Sequence, residues 1–351
     1  MTDNQKQTQK AEENAIAVMA GNDVNIHHHG MTYADARDIA RDVYRADFAH
    51  LTAHAVETAK ARTEKIIDDF LRKLEAQNPA GVQQASDPDF QIALYGIQRD
   101  YARTGDDDLG TLLVDLLVDR SKAVTRDLRQ IVLNESLETA RKLTREQVAS
   151  LSLIFLLRYT QSLQVVSIDT FGQYLDALIQ PLSDGFKTSQ ASVQHMEFSG
   201  CGAISAFSFL IEQSFLEHYR ALFSHGIDGD EALRISGNPD YRSFLMKSLR
   251  DPSKLQLNTL NQGVFDELAP SKKLTPTEIG FLKSLGSQNL FSHAEVRTEV
   301  VKLRPFMEQV FAAWDSTPLP NFTLTSVGIA IGHANLKRFV PDFGDLSIWI
   351  N

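Results

Sequence analysis

Cysteine is the scarcest residue of this 351-residue chain, with Cys201 standing alone. One thiol excludes an intramolecular disulfide framework and any cysteine-rich zinc or iron–sulfur centre, and it fits a reducing, cytoplasmic setting. Basic charge is in deficit too: 35 Lys+Arg face 45 Asp+Glu, for a formal charge of −10. A chain so balanced has no domain-wide basic stripe for tracking phosphates, which disfavours nucleic acid and anionic membrane surfaces as partners. Long apolar runs are missing. Residues 151–157 and 203–211 are the longest apolar stretches and fall far short of the roughly 20 residues of a membrane span. Residues 1–14 are polar, with no apolar stretch behind a basic start, so no secretory leader is expected. Phosphate-loop, dinucleotide-loop and Gly-x-Ser-x-Gly patterns are also absent, which removes the simplest arguments for nucleotide binding or serine hydrolysis.

What remains is an ordinary globular composition, 43% hydrophobic and 23% charged, long enough for about two domains. Its patterning predicts a mainly α fold: a multi-helix body with a small N-terminal β-hairpin and a short C-terminal strand. Residues 1–14 read as a disordered arm rich in Gln, Asn, Lys and Glu. In residues 15–31, apolar runs flank the turn Gly21-Asn22-Asp23, the signature of a strand reversal. Two such strands are marginal alone, so this element is expected to pair between subunits.

Residues 32–225 read as a helical domain, and 226–351 as a mostly helical region packed on it. The stop and start signals are explicit. Thr32 with Asp35 opens a long helix or helical pair that ends at Asn78-Pro79; Asp87-Pro88 starts another, closed by Thr104-Gly105. Asp106–Asp108 precede the next, while Thr144 with Gln147 and Thr275 with Glu278 are capping boxes. Further helical patterns cover 123–143, 145–163, 168–182 and, strongly apolar, 203–223. A helix over 292–314 is expected to kink at Pro305. Residues 326–339 fit either a helix with two glycines or a short strand followed by a helix, and the last five residues fit a strand or an anchor.

Three constellations carry candidate chemistry. His27 and His29 share one face if their segment is a strand, a geometry that binds zinc when subunits bring such pairs together. The alternative is a polar edge strand whose backbone does the pairing. Cys201, in Ser199-Gly200-Cys201-Gly202 with His195 six residues upstream, invites a thiol–imidazole nucleophile; the alternative is a small buried hydrophobe at a tight helix–loop contact. Asp106–Asp108 and the group Asp228, Asp230, Glu231 offer hard oxygen ligands to a divalent cation, but their spacing matches helix caps and solvated turns better.

The segments GNDVNIHHHG, MTYADARDIARDVYRADF, HMEFSGCGAIS, LTSVGIAIGHANL and DLSIWI together resemble a family of uncharacterised bacterial proteins. Its members begin with a Gly/Asn-rich G-N-x-N-I segment, matched by Gly21, Asn22, Asn25 and Ile26. A helix start follows, matched by Gly30, Thr32, Tyr33 and Asp35. The short N-terminal element looks like one found on bacterial proteins linked to phage defence, which implies an assembly tag. The reading that follows is a self-assembling bacterial interaction, scaffold or sensor protein, not an enzyme, in antiphage defence. It would form a homo-oligomer through Val18, Val24, Asn25, Ile26, His27, His28 and His29, with no cofactor, no membrane span, and another protein of the same system as a further partner. The alternative is a toxic effector enzyme using Cys201 with a histidine such as His195, or an acidic metal site.

Overall fold

The structure, a computed structural model, describes residues 33–183, 189–228, 231, 244–258, 270–271, 274–340 and 343–351. The expected hairpin, the histidine triplet and the Thr32 cap lie outside the described residues. The chain divides into two units, Met1–Thr58 and Ala59–Asn351. Of the first, the described part is the opening stretch of helix α1 (Tyr33–Gln77).

The second unit is built from helices with two short antiparallel strand pairs. Its part of α1 buries Ile66, Phe70 and Leu74, a stripe at four-residue spacing that marks one helix face. Helices α2 (Pro88–Thr104), α3 (Asp107–Lys122), α4 (Leu128–Ala140) and α5 (Arg145–Tyr159) follow. Their boundaries are those the caps dictate. Asp87, Asp106, Asp127 and Thr144 each accept a backbone N–H of the first turn, and Gly105 closes α2 in the left-handed region (φ 63°).

Next come α6 (Ile168–Tyr174), a π-turn (Leu175–Ile179), α7 (Gln180–Ser183) and α8 (Gln190–Phe198). The strand β1 (Gly202–Ile204) and helix α9 (Ile211–His218) follow. This corrects the helix expected over 203–223. Gly200, at φ 78°, ends α8, and β1 pairs with β4 (Phe322–Leu324) in register Gly202↔Leu324. The apolar residues there serve a strand and a short helix, and Phe207 is left exposed.

Strands β2 (Leu245–Lys247) and β3 (Leu255–Leu257) form a hairpin-like pair beside α10 (Pro276–Gln288). Small clusters around Ile227 with Leu285 and Phe244 with Leu282 hold this layer, separate from the main core. Pro305 separates α11 (His293–Leu303) from α12 (Met307–Asp315), a break where a kink was expected. After β4, α13 (Ser326–Lys337) runs back through the middle. Of the two alternatives for 326–339, the strand precedes that span and the helix fills it. Of the two forms expected for the last five residues, the structure shows the anchor: a 3-10 turn, Leu346–Ile348, with Ile350 buried.

The centre is α3, α5 and α13, each buried through almost its whole circumference. Close approach of α13 depends on the glycines of its Gly-Ile-Ala-Ile-Gly run. A Cβ on Gly328 would overlap the Cys201 carbonyl, and one on Gly332 would stand 3.0 Å from the Leu151 carbonyl of α5. Only glycine leaves room for backbones so near.

Candidate functional site

Cys201 is fully buried, and burial pushes its thiol up to about 12, so at neutral pH the sulfur is protonated and a poor nucleophile. Its carbonyl accepts the Thr325 N–H (3.1 Å), while Thr325 Oγ1 donates to the Gly200 carbonyl (2.6 Å). The Gly-Cys-Gly turn thus clasps the start of α13. His195 Nδ1 lies 3.0 Å from Gln147 Nε2, and no described hydrogen bond joins it to Cys201. The geometry that a thiol–imidazole pair needs is therefore not formed, because the helix end that follows His195 turns Cys201 inward.

The described aspartates of the acidic groups are similarly occupied, and Asp230 lies outside the described residues. Asp106 caps Leu109, Asp107 meets Lys65 and Tyr101 (2.5 Å each), and Asp108 meets Arg338 (2.5 Å) and Arg145 (3.3 Å). Asp228 pairs with Lys254 (3.1 Å). Among the described residues no group of three His, Cys, Asp or Glu side chains is placed to hold a metal ion, and no helix is long and apolar enough to cross a membrane.

Two features were not anticipated. The first is a chain of charges inside the helical core. Asp115, without solvent exposure, pairs with Lys73 of α1. One turn on, Asp119 Oδ1 accepts from both Lys337 and Lys122 at 2.8 Å. Burial raises the Asp115 carboxyl above its ordinary value despite Lys73. Burial also pushes Asp119 up, but Lys337 and Lys122 pull harder and leave it below the ordinary value. His333 stands 4.0 Å from Asp119 Oδ2 through Nδ1. Its Nε2 donates to the Gly344 carbonyl (2.6 Å), which fixes the proton of the neutral ring on Nε2. Burial lowers the His333 pKa, keeping the ring neutral.

The second feature is a pocket of about 770 Å³ on the far side of Gly344, within the size range of small-molecule sites. One wall is the end of α5 and the loop after it, with Tyr159, Thr160, Gln161 and Gln164. A second is α6 and the π-turn, with Gln173, Tyr174 and Ala177. The third is the C-terminal segment, with Phe343, Ile348 and Trp349. None of the described residues lining it is charged, although charged residues make up 23% of the chain.

The walls are braced from behind. Trp349 Nε1 donates to the Tyr159 carbonyl (2.8 Å), and its ring meets Phe155 edge-on at 5.0 Å. Tyr219 accepts the Ser162 N–H (3.0 Å) and is hydrogen-bonded to the buried Tyr174. The π-turn is gripped from outside by Arg304, whose guanidinium makes a two-pronged pair with Asp176 at 2.6 and 2.7 Å. Such turns replace a regular helical rung with a widened one and recur at functional sites. The sequence marked Ile348 and Trp349 as part of a terminal strand or anchor, but none of these residues as a site. The available signals were Asp115 and Asp119 four apart in an apolar helix, and the amide-rich TQSLQ after α5.

In the comparisons with known proteins, no curated protein and no solved structure matches the chain. A family model does match, over residues 30–350; the G-N-x-N-I segment precedes that span. The match covers both the clasp around Cys201 and all three walls of the pocket, and on it the chain belongs to an uncharacterised protein family.

Proposed function

We propose that this protein is a self-assembling binding protein of sensor or scaffold type, whose helical body takes a small uncharged molecule in the pocket beneath Trp349. The observation that carries the reading is the pocket itself: sized for a small molecule, aromatic, uncharged in its described lining and braced on three sides. Assembly through residues 15–31, and a role in bacterial phage defence, rest on the resemblance of the N-terminal segment. Displaying copies of one pocket or surface raises effective affinity for a repetitive target without new contacts.

The test is equilibrium binding of Nile red, an uncharged fluorophore, to the full chain and to Ala177→Trp, which fills the mouth from an exposed position. Saturable binding that the variant abolishes supports the reading; no binding, or binding the variant leaves unchanged, sinks it. Light scattering at several concentrations on the full chain and on Val24→Glu/Ile26→Glu tests the assembly half, where equal masses reject it. An effector enzyme built on Cys201 has a buried, protonated thiol against it, and unaltered biological activity in Cys201→Ala would remove that version.

A further inference from the structure

The pocket's electrostatics restrict what enters it. No Lys, Arg or His stands among its described lining residues, so a phosphate or carboxylate would lose its hydration without a compensating cation. The end of α5 adds to this. Tyr159 and Thr160 carry the C-terminal turn of that helix to the pocket wall, and a helix C-terminus bears partial negative charge that repels anions. A cation fares little better, since the described lining has no carboxylate to meet it.

The polar side chains in the described lining are hydroxyls and carboxamides, and Thr160 Oγ1 is committed to the Leu156 carbonyl (2.7 Å). Gln161 Nε2 is committed to the His218 carbonyl (2.9 Å), and Thr170 Oγ1 to the cap of α6. Gln164 and Gln173 line the pocket from different walls, one in the loop after α5 and one in α6. A carboxamide presents a donor and an acceptor side by side. Its best neutral complement is a ring edge carrying the same pair in reverse, as an adenine edge does for glutamine. Tyr159, Tyr174, Phe343 and Trp349 supply aromatic surface for the faces of such a ring.

The geometry points to an uncharged planar heterocycle with adjacent donor and acceptor as the ligand class, a purine nucleoside being its simplest representative, read by Gln164 and Gln173. This rests on the pocket being a binding site, as proposed above. Phosphorylation of the same nucleoside weakens its binding.

Calorimetric titration of the full chain with adenosine, AMP and choline tests the inference, alongside displacement of bound Nile red. Adenosine is expected to bind and to displace the dye, with AMP weaker by about tenfold or more for an uncompensated, desolvated phosphate. Gln173→Ala is expected to weaken adenosine while leaving Nile red bound. Gln173→Lys, from an exposed position, is expected to narrow or reverse the preference over AMP. AMP binding as tightly as adenosine, or choline displacing the dye, overturns the inference. Failure of adenosine to bind while Nile red is held and is blocked by Ala177→Trp overturns the heterocycle and leaves the pocket; failure of Nile red as well overturns both.

Discussion

Between α1, α3 and α13 the body buries Asp115, Asp119 and Lys337, with Lys73 half-buried beside Asp115, whereas the pocket beside Trp349 shows no charge among its described lining residues. The two regions meet at Gly344, whose carbonyl takes the His333 hydrogen bond on one side and whose residue lines the pocket on the other. The difference teaches where each kind of polarity is affordable. Charges sit where fixed partners of opposite sign on three helices face them, and uncharged amides sit where a partner must come and go. The two pairs together link three helices; a buried pair does not by itself add stability over a well-packed apolar set.

Removing one member of the interior pair breaks this arrangement hardest. Asp119→Ala leaves Lys337, nearly buried, without its carboxylate and is expected to cost about 3–5 kcal/mol. Asp119→Leu with Lys337→Met is expected to regain most of that. Gln173→Ala in the pocket wall is expected to stay within about 0.5 kcal/mol, as exposed substitutions do. Urea denaturation of the three variants checks this ordering, and a single-variant cost below that of Gln173→Ala would mean that water reaches the charges.

Next in size is Gly332→Ala, which sets a methyl 3.0 Å from the Leu151 carbonyl. Overpacking of this kind costs about 1–3 kcal/mol. A lowered Tm without a change in Nile red affinity is expected, since Gly332 contacts α5 away from the pocket.

The two buried aspartates are expected to titrate with opposite signs. Asp119 is held below its ordinary value, so its contribution is present above the unfolded carboxyl pKa of about 3.9 and lost as pH falls through the depressed folded value. Asp115 is raised; its contribution is present below the unfolded value and lost as pH rises through the folded one. Relative to the parent, Asp119→Asn should therefore become less favourable as pH climbs toward and past 4, and Asp115→Asn more favourable as it climbs beyond 4. Denaturation midpoints across that range decide it, and parallel curves would refute the assignment of opposite shifts.

These same regions show what a single sequence discloses. The caps legible in the sequence are local events: Asp87-Pro88, Asp106, Thr144 with Gln147, Thr275 with Glu278 and Gly105 each act within four residues of chain, whereas the Asp127 cap, which starts α4 five residues later than expected, and the Ser167–Thr170 and Ser292–Glu295 boxes went unread. The mainly α class follows from them. Strand β1 was not legible, because its partner lies at Phe322–Leu324 and its apolar residues fit a helix equally well. The pocket was hidden for the same reason: its described walls come from 156–178, Val340 and 343–349, and no spacing in either segment announces the other. Cys201 stood out in the sequence by rarity, yet its position under Thr325 makes it a packing residue, and rarity carries no information about burial.

The smallest effect sharpens the boundary between the two regions. Trp349 reaches the Tyr159 carbonyl through Nε1 and stacks with Phe343 at 6.1 Å, so the indole ties the last residues to α5 and forms pocket wall at once. Trp349→Phe keeps most of the ring contact and removes the donor, leaving a partly exposed carbonyl that water can reach; the expected loss is about 1 kcal/mol. Because the interior charges do not depend on this bond, the loss should appear locally. Amide exchange is expected to quicken at Ile348, Trp349 and Ile350, whose N–H groups bond within that terminal turn, and to hold steady in α3 and α13. Equal quickening in all three would mean that the terminal anchor and the charged core open as one unit, and that a ligand held at the pocket wall stabilises the whole body.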